Sequence, residues 1–175
     1  TAFGIAHHMP SLMVTGSHIP DDRNGIKFNL PTGEILKVDE ARIRACQIQL
    51  PEAAFDARGT WLGAAPDLSE ASIAATDYVA RFLDFFPAAA LTGMRIGLYE
   101  HSSVARDLLF QILTGLGAEV TSLGRSDRFI PVDTEAIRTE DEVLARDWAA
   151  DGDFDALVST DGDGDRPLIA DERGQ

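Results

Sequence analysis

Strands and helices alternate over residues 69–175, two short strands precede residue 31, and the helices carry their apolar residues on one side. Together these predict an α/β protein built of three-layer α/β/α domains with mixed, largely parallel sheets. The chain opens on what reads as the tail of a helix, with His7 and His8 as helix-end contacts. Residues 11–15 (SLMVT) form an apolar run that stops at Gly16, the pattern of a buried strand. Residues 16–24 are polar and hold Pro20, Asp21, Asp22 and Asn24, so they read as a loop, with Asp21, Asp22 and Arg23 facing solvent. Residues 25–30 (GIKFNL) alternate as a second strand, and Pro31-Thr32-Gly33 makes a turn. Helical spacing through Ala41, Ala45 and Ile48 predicts a helix over 38–50, before Pro51. Cys46, the single cysteine, excludes an internal disulfide and reads as a small buried apolar residue on that helix. Residues 51–68 contain two Pro and two Gly without a steady period, the composition of a linker.

Beyond the linker, Ser69 is placed to cap a helix whose Ala75, Val79, Phe82 and Phe86 share a face opposite Asp77, Arg81 and Asp84. Residues 94–100 make a strand. Ser103 is placed to cap the next helix, where Val104, Leu108, Ile112 and Leu116 repeat at i+4 and Gly117 takes the C′ position. Residues 119–123 make another strand, and Thr139-Glu140-Asp141-Glu142 has the form of a capping box opening a helix through Ala150. Residues 156–160 form a strand, an acidic loop follows, and 168–170 form a last short strand. Trp61 and Trp148 read as packing residues, and Glu100-His101-Ser102-Ser103 as ordinary helix capping rather than an anion site.

With 175 residues, 45% hydrophobic and 25% charged, the chain has the composition of a soluble globular protein of one or two domains. No apolar run approaches the roughly 20 residues of a membrane helix. The net charge of -14 argues against a nucleic-acid partner, whose phosphates need a basic surface. Residues 127–175 alone hold 15 Asp and Glu against 5 Arg. The lone cysteine and the absence of a basic-then-apolar leader lead us to expect a cytoplasmic protein. Both ends read as cut, so we expect a fragment; oligomeric state is not legible.

Two loops carry chemistry. Thr15-Gly16-Ser17-His18-Ile19-Pro20, followed by Asn24-Gly25-Ile26-Lys27, leaves the end of an apolar strand, where open α/β sheets place ligands. Two readings fit these residues: a polar loop whose Ser and Asn make turns, and a loop whose Ser17 carries a phosphoryl group beside His18 and Lys27. Asp161-Gly162-Asp163-Gly164-Asp165-Arg166 sets three carboxylates at every second position, able to turn inward on a hard cation that relieves their repulsion. A calcium loop of the EF-hand type competes, since Asp161, Asp163, Asp165 and Glu172 fall at its positions 1, 3, 5 and 12. Against it stand Arg166 where Gly is needed and a strand where a helix is needed. A serine loop combined with a carboxylate metal loop suggests phosphoryl transfer.

The segment TGSHIPDDRNGIKF resembles the active-site loop of the α-D-phosphohexomutases, written T-A-S-H-N-P with N-G-x-K shortly after, and STDGDGDRP resembles their metal loop, D-x-D-x-D-R. Gly16 and Ile19 depart from that pattern in a way similar to a bacterial phosphomannomutase subgroup. The resemblance implies that Ser17 is the phosphorylated serine and that Asp161, Asp163 and Asp165 bind Mg²⁺ together with a phosphate oxygen on Ser17. It implies that His18 and Lys27 assist proton transfer and stabilise charge, and that Arg166 steadies the phosphoserine region. The substrate implied is a hexose phosphate, with mannose favoured and glucose or glucosamine as alternatives, and hexose 1,6-bisphosphate as activator. It implies a four-domain parent, of which residues 1–55 are the later part of domain 1, 56–68 a linker and 69–175 most of domain 2. A fragment of that kind is expected to be inactive alone. Two functions of other classes fit the residues: a divalent-metal-binding module without catalysis, and a phosphohydrolase that resolves a Ser17 phosphoenzyme with water.

Overall fold

The structure is a computed structural model that describes residues 1–16, 23–49, 54–64 and 72–175. A short helix α1 (Ala2–Ala6) leads into strands β1 (Ser11–Thr15), β2 (Gly25–Leu30) and β3 (Gly33–Glu34), then helix α2 (Lys37–Ala45). These strands form an antiparallel meander in the order β1-β2-β3. Its register pairs Met13 with Lys27 and Thr15 with Gly25. Because paired residues share a face of the pleat, Thr15 and Lys27 lie on the same side of the sheet. The other side carries Leu12, Val14 and Ile26, which are exposed.

The remaining elements are α3 (Ser72–Phe85), β4 (Arg95–Tyr99), α4 (Arg106–Gly115), β5 (Glu119–Leu123), α5 (Thr139–Asp151), β6 (Ala156–Thr160) and β7 (Pro167–Ala170). They build a four-stranded sheet in the order β5-β4-β6-β7, parallel except for the β6–β7 pair. Apolar positions on β4 are buried from Ile96 to Tyr99, as expected for a strand covered on both faces. The step from β4 to β5 runs one way along the sheet, and the step from β5 to β6 runs back past β4. Right-handed crossovers therefore set α4 and α5 on opposite faces. On one face Val79 of α3 packs with Ile112 and Leu116 at the end of α4, joined by Tyr78, Phe82, Leu83, Leu91 and Leu108. Trp148 of α5 meets the Tyr99 ring with centroids 5.0 Å apart. Leu157 and Leu123 fill the space over Gly97 so closely that a Cβ there would sit 2.5 and 2.8 Å from them.

The strands over 11–15, 25–30, 119–123 and 156–160 match the sequence reading residue for residue, while helix ends differ. The helix expected over 38–50 stops at Ala45, and Cys46 follows it exposed, its thiol 3.4 Å from the Arg42 carbonyl, so it is not the buried apolar residue expected. The helix expected from Ser103 begins at Arg106; the Ser103 hydroxyl accepts the Ala105 N–H just ahead of it and pairs as well with the Thr160 hydroxyl. Thr139 opens α5 without forming a capping box. Instead the Arg138 guanidinium grips the buried Asp141 carboxylate through two hydrogen bonds of 2.7 and 2.8 Å. Ser69 lies outside the described residues. Among those described, no helix is long and apolar enough to cross a membrane.

Candidate metal centre

The chain leaves β4 toward β5 on one side and leaves β6 toward β7 on the other, so a crevice opens at the C-terminal ends of the adjacent strands β4 and β6. Ligands of open α/β sheets gather at such a switch point. The loop connecting β6 to β7 carries Asp161, Asp163 and Asp165, each offering one carboxylate oxygen, all within 4.8 Å of one another. An octahedral ion with ligands at about 2.1 Å sets opposed oxygens roughly 4.2 Å apart, so three oxygens within 4.8 Å close on a hard cation with a small shift. An all-oxygen donor set also suits magnesium, calcium or manganese better than zinc or copper.

Asp161 shapes the loop as well as lining it. Its Oδ1 accepts the backbone N–H groups of Gly164, Asp165 and Arg166 at 3.1, 3.2 and 3.3 Å, which curls the chain around the carboxylate. The backbone closes through Asp161 N–H to the Arg166 carbonyl at 3.1 Å. Gly164 sits at φ +76°, a left-handed conformation that glycine adopts without penalty.

Two side chains of the antiparallel sheet reach this loop. The Thr15 hydroxyl donates to Asp163 Oδ2 at 2.9 Å, and the Lys27 ammonium bridges Asp163 Oδ2 at 2.9 Å and Asp165 Oδ2 at 2.8 Å. Burial by itself raises the Asp163 carboxyl, but hydrogen bonds from Lys27 and Thr15 outweigh it and bring the pKa down to about 2. Lys27 is in turn raised above its ordinary value, first by Asp165 and then by Asp163, so it is an ammonium at neutral pH. An open groove of about 610 Å³ runs from Lys27 and Asp165 along β2, with Asn29, Glu34 and Arg44 on its walls.

Of the residues singled out in the sequence, the structure brings Lys27 together with Asp161, Asp163 and Asp165. Ser17 and His18 lie outside the described residues, while Thr15 and Lys27, on either side of their loop, are in place. Arg166 pairs with Glu135 at 2.8 Å and lies 3.9 Å from Asp165. Glu172, the twelfth position of the calcium-loop reading, pairs with Arg173, and strands rather than helices flank the acidic loop. That excludes the helix–loop–helix of an EF-hand. Thr15 opens the serine loop in the sequence but carries no role there, since it reads as the last residue of a strand; its contact to Asp163 spans 148 residues.

Known proteins give the geometry a context. Residues 76–174 match the model of the phosphoglucomutase/phosphomannomutase α/β/α domain II. A phosphomannomutase of Sinorhizobium fredii is 51% identical over 164 residues, covering 94% of this chain and 34% of that protein. One of Salmonella muenchen is 47% identical over 170 residues, covering 97% and 34%. A phosphoglucosamine mutase of Geobacillus kaustophilus is 29% identical, covering 93% and 36%. A crystal structure of a phosphoglucomutase/phosphomannomutase family protein from Burkholderia thailandensis shares the fold with a TM-score of 0.64 at 23% identity, over 95% of this chain and 34% of that one. The chain thus spans about a third of the length of the relatives it matches. With more than half of its residues on the domain II model and a three-carboxylate loop at the switch point of that domain's sheet, the chain belongs to the phosphoglucomutase/phosphomannomutase family.

Proposed function

We propose that this chain is the part of a phosphomannomutase that bears the phosphoryl-carrying serine and the Mg²⁺ site. The observation that carries the reading is the double contact of Thr15 and Lys27 with Asp163, since these two residues flank Ser17 and His18 in the sequence. Mannose is favoured over glucosamine because relatives called phosphomannomutase are 51% and 47% identical, whereas those called phosphoglucosamine mutase reach only 28% to 33%. In this reading residues 1–55 are the later part of a first domain, 56–68 a linker and 69–175 most of a second.

Asp161, Asp163 and Asp165 would hold Mg²⁺ with a phosphate oxygen on Ser17, and the ion supplies neutralisation of phosphoryl charge. The Ser17 Oγ–P bond breaks as a bond forms from phosphorus to a hydroxyl of the hexose phosphate. His18 takes the proton of that hydroxyl, and the departing Ser17 oxygen takes up a proton from water to become the serine hydroxyl. Lys27, kept as an ammonium by its two carboxylates, neutralises charge on the transferring group rather than accepting the proton. The resulting hexose bisphosphate reorients and returns its other phosphoryl group to Ser17, with the proton flow reversed. Arg166 steadies the loop through Glu135 and Asp165.

The test is intact mass with peptide mapping after incubation with glucose 1,6-bisphosphate and Mg²⁺. One phosphoryl group on Ser17, absent from Ser17→Ala, is the expected result, with negligible mutase turnover by the 175-residue chain alone. A Ser17 that stays unmodified both here and in a protein of the relatives' full length overturns the reading. Steady release of inorganic phosphate from mannose 6-phosphate would replace it with a phosphohydrolase.

A further inference from the structure

We propose that the turn after β4, residues 101–105, is a template that fixes the shape of the metal loop, with His101 and Ser103 as positioning residues. The inference rests on the reading of Asp161, Asp163 and Asp165 as a cation site. The two segments meet at four consecutive places. His101 Nε2 lies 2.8 Å from the Thr160 carbonyl, the Ser103 hydroxyl lies 2.8 Å from the Thr160 hydroxyl, and the Val104 N–H donates to the Gly162 carbonyl at 3.1 Å. At Gly164 a Cβ would fall 2.7 Å from the Ala105 side chain, so the loop passes closely over the end of the turn.

Hydrogen-bond chemistry fixes the direction of each contact. Thr160 Oγ1 donates its proton to the Asp161 carbonyl at 2.9 Å, so it can only accept from Ser103. Ser103 Oγ in turn accepts the Ala105 N–H at 3.1 Å. The result is a one-way chain, Ala105 N–H to Ser103 to Thr160 to the Asp161 carbonyl, ending on the backbone of the first carboxylate. A carbonyl accepts only, so His101 holds its proton on Nε2. Its Nδ1 is buried without a partner among the described residues, and the residue is 0% exposed. A left-handed backbone at His101, φ 27°, is unfavourable for a non-glycine residue. Tertiary contacts hold it: the Arg106 guanidinium donates to the carbonyls of His101 and Ser126 at 3.0 and 2.8 Å. Apart from that ring nitrogen, the hydroxyls and carbonyls of this buried network are paired, which makes it rigid, and it transmits that rigidity to the loop.

Groups that orient metal ligands without touching the metal typically change affinity 10- to 100-fold when removed. The experiment is Mn²⁺ binding by electron paramagnetic resonance, with Mg²⁺ as competitor, on the chain and its variants, alongside thermal melts without metal. Ser103→Ala, which breaks the chain in its middle, is expected to weaken Mn²⁺ binding at least about 10-fold, whereas Ser103→Thr restores most of it. Thr160→Val should cause a similar loss, and the double variant little more than either alone. Ser103→Cys, which keeps the volume, repeats the test should Ser103→Ala not fold. Absence of Mn²⁺ binding by the unaltered chain would overturn the cation site itself. Binding by that chain together with undiminished binding by folded Ser103→Ala or Ser103→Cys would leave the site standing and overturn the template. A loss that follows melting temperature alone, with no recovery in Ser103→Thr, would also overturn it.

Discussion

At Asp163 two opposing effects meet. Burial disfavours its charge, while the Lys27 ammonium and the Thr15 hydroxyl favour it, and the carboxyl settles at about 2. A carboxylate whose folded pKa is depressed adds stability at any pH above its unfolded value near 3.8, and that stability is lost as pH falls through about 2. Lys27→Met removes one of the two donors and leaves the burial. The Asp163 carboxyl should then titrate well above about 2, and the acid limb of the unfolding curve should move to higher pH. Carboxyl carbon chemical shifts followed against pH check the first outcome, and melts between neutral and acid pH check the second. An Asp163 titration unchanged in Lys27→Met would mean that the lysine does not set its charge. His101 shows the reverse logic: burial lowers its pKa, and its one ring proton serves a carbonyl, so it is a neutral hydrogen-bonding group.

Strands and helices differ in what their own residues decide. The strand over 156–160 opens with Ala156, Leu157 and Val158, apolar on both faces, and ends where three carboxylates begin, so its limits are set locally. Helix ends depend on where the first free N–H groups find partners, and that is a tertiary matter. Ser103 is an acceptable cap by residue type, yet its hydroxyl pairs with distant Thr160 as well as accepting the Ala105 N–H, and α4 starts three residues later. The β6–β7 loop shows how much one element depends on its neighbour. Gly164→Ala places a Cβ at φ +76° and 2.7 Å from the Ala105 side chain. We expect it to destabilise the fold by about 1–3 kcal/mol and to weaken Mn²⁺ binding, both because the loop must lift off the 101–105 turn. Urea unfolding reads the first effect. An alanine that is tolerated at full stability would show that the turn and the loop are not closely packed.

At the acidic loop the two sheets are joined by polar contacts, and α1 also lies against α3. The Lys27–Asp165 pair is about half exposed, and such pairs contribute roughly 0–1 kcal/mol in water. Lys27–Asp163, with a carboxylate 3% exposed, is the stronger attachment. The double variant Thr15→Val/Lys27→Met should therefore leave each sheet folded while loosening one from the other. Amide relaxation of residues 11–15 and 25–30 against residues 95–99 and 156–160 checks this. In the unaltered chain the two sets should share one correlation time, and in the double variant they should separate. A common correlation time in both proteins would show that other contacts hold the sheets together.

The sequence by itself determined most of the strands, the alternation that makes the second sheet mostly parallel, and the placement of three carboxylates on one loop; the short strand β3 falls where the sequence reads as a turn. Each of these rests on residue type at short spacing, and short-range sterics and charge repulsion act within a few residues. Only the tertiary structure decided that Thr15 and Lys27 converge on Asp163, that Ser103 serves the strand β6 and its loop as well as the start of α4, and that Cys46 is exposed. The first two depend on contacts across 57 to 148 residues. A hydroxyl or an ammonium finds such a partner through the register of paired strands and the handedness of crossovers, which no window of sequence contains.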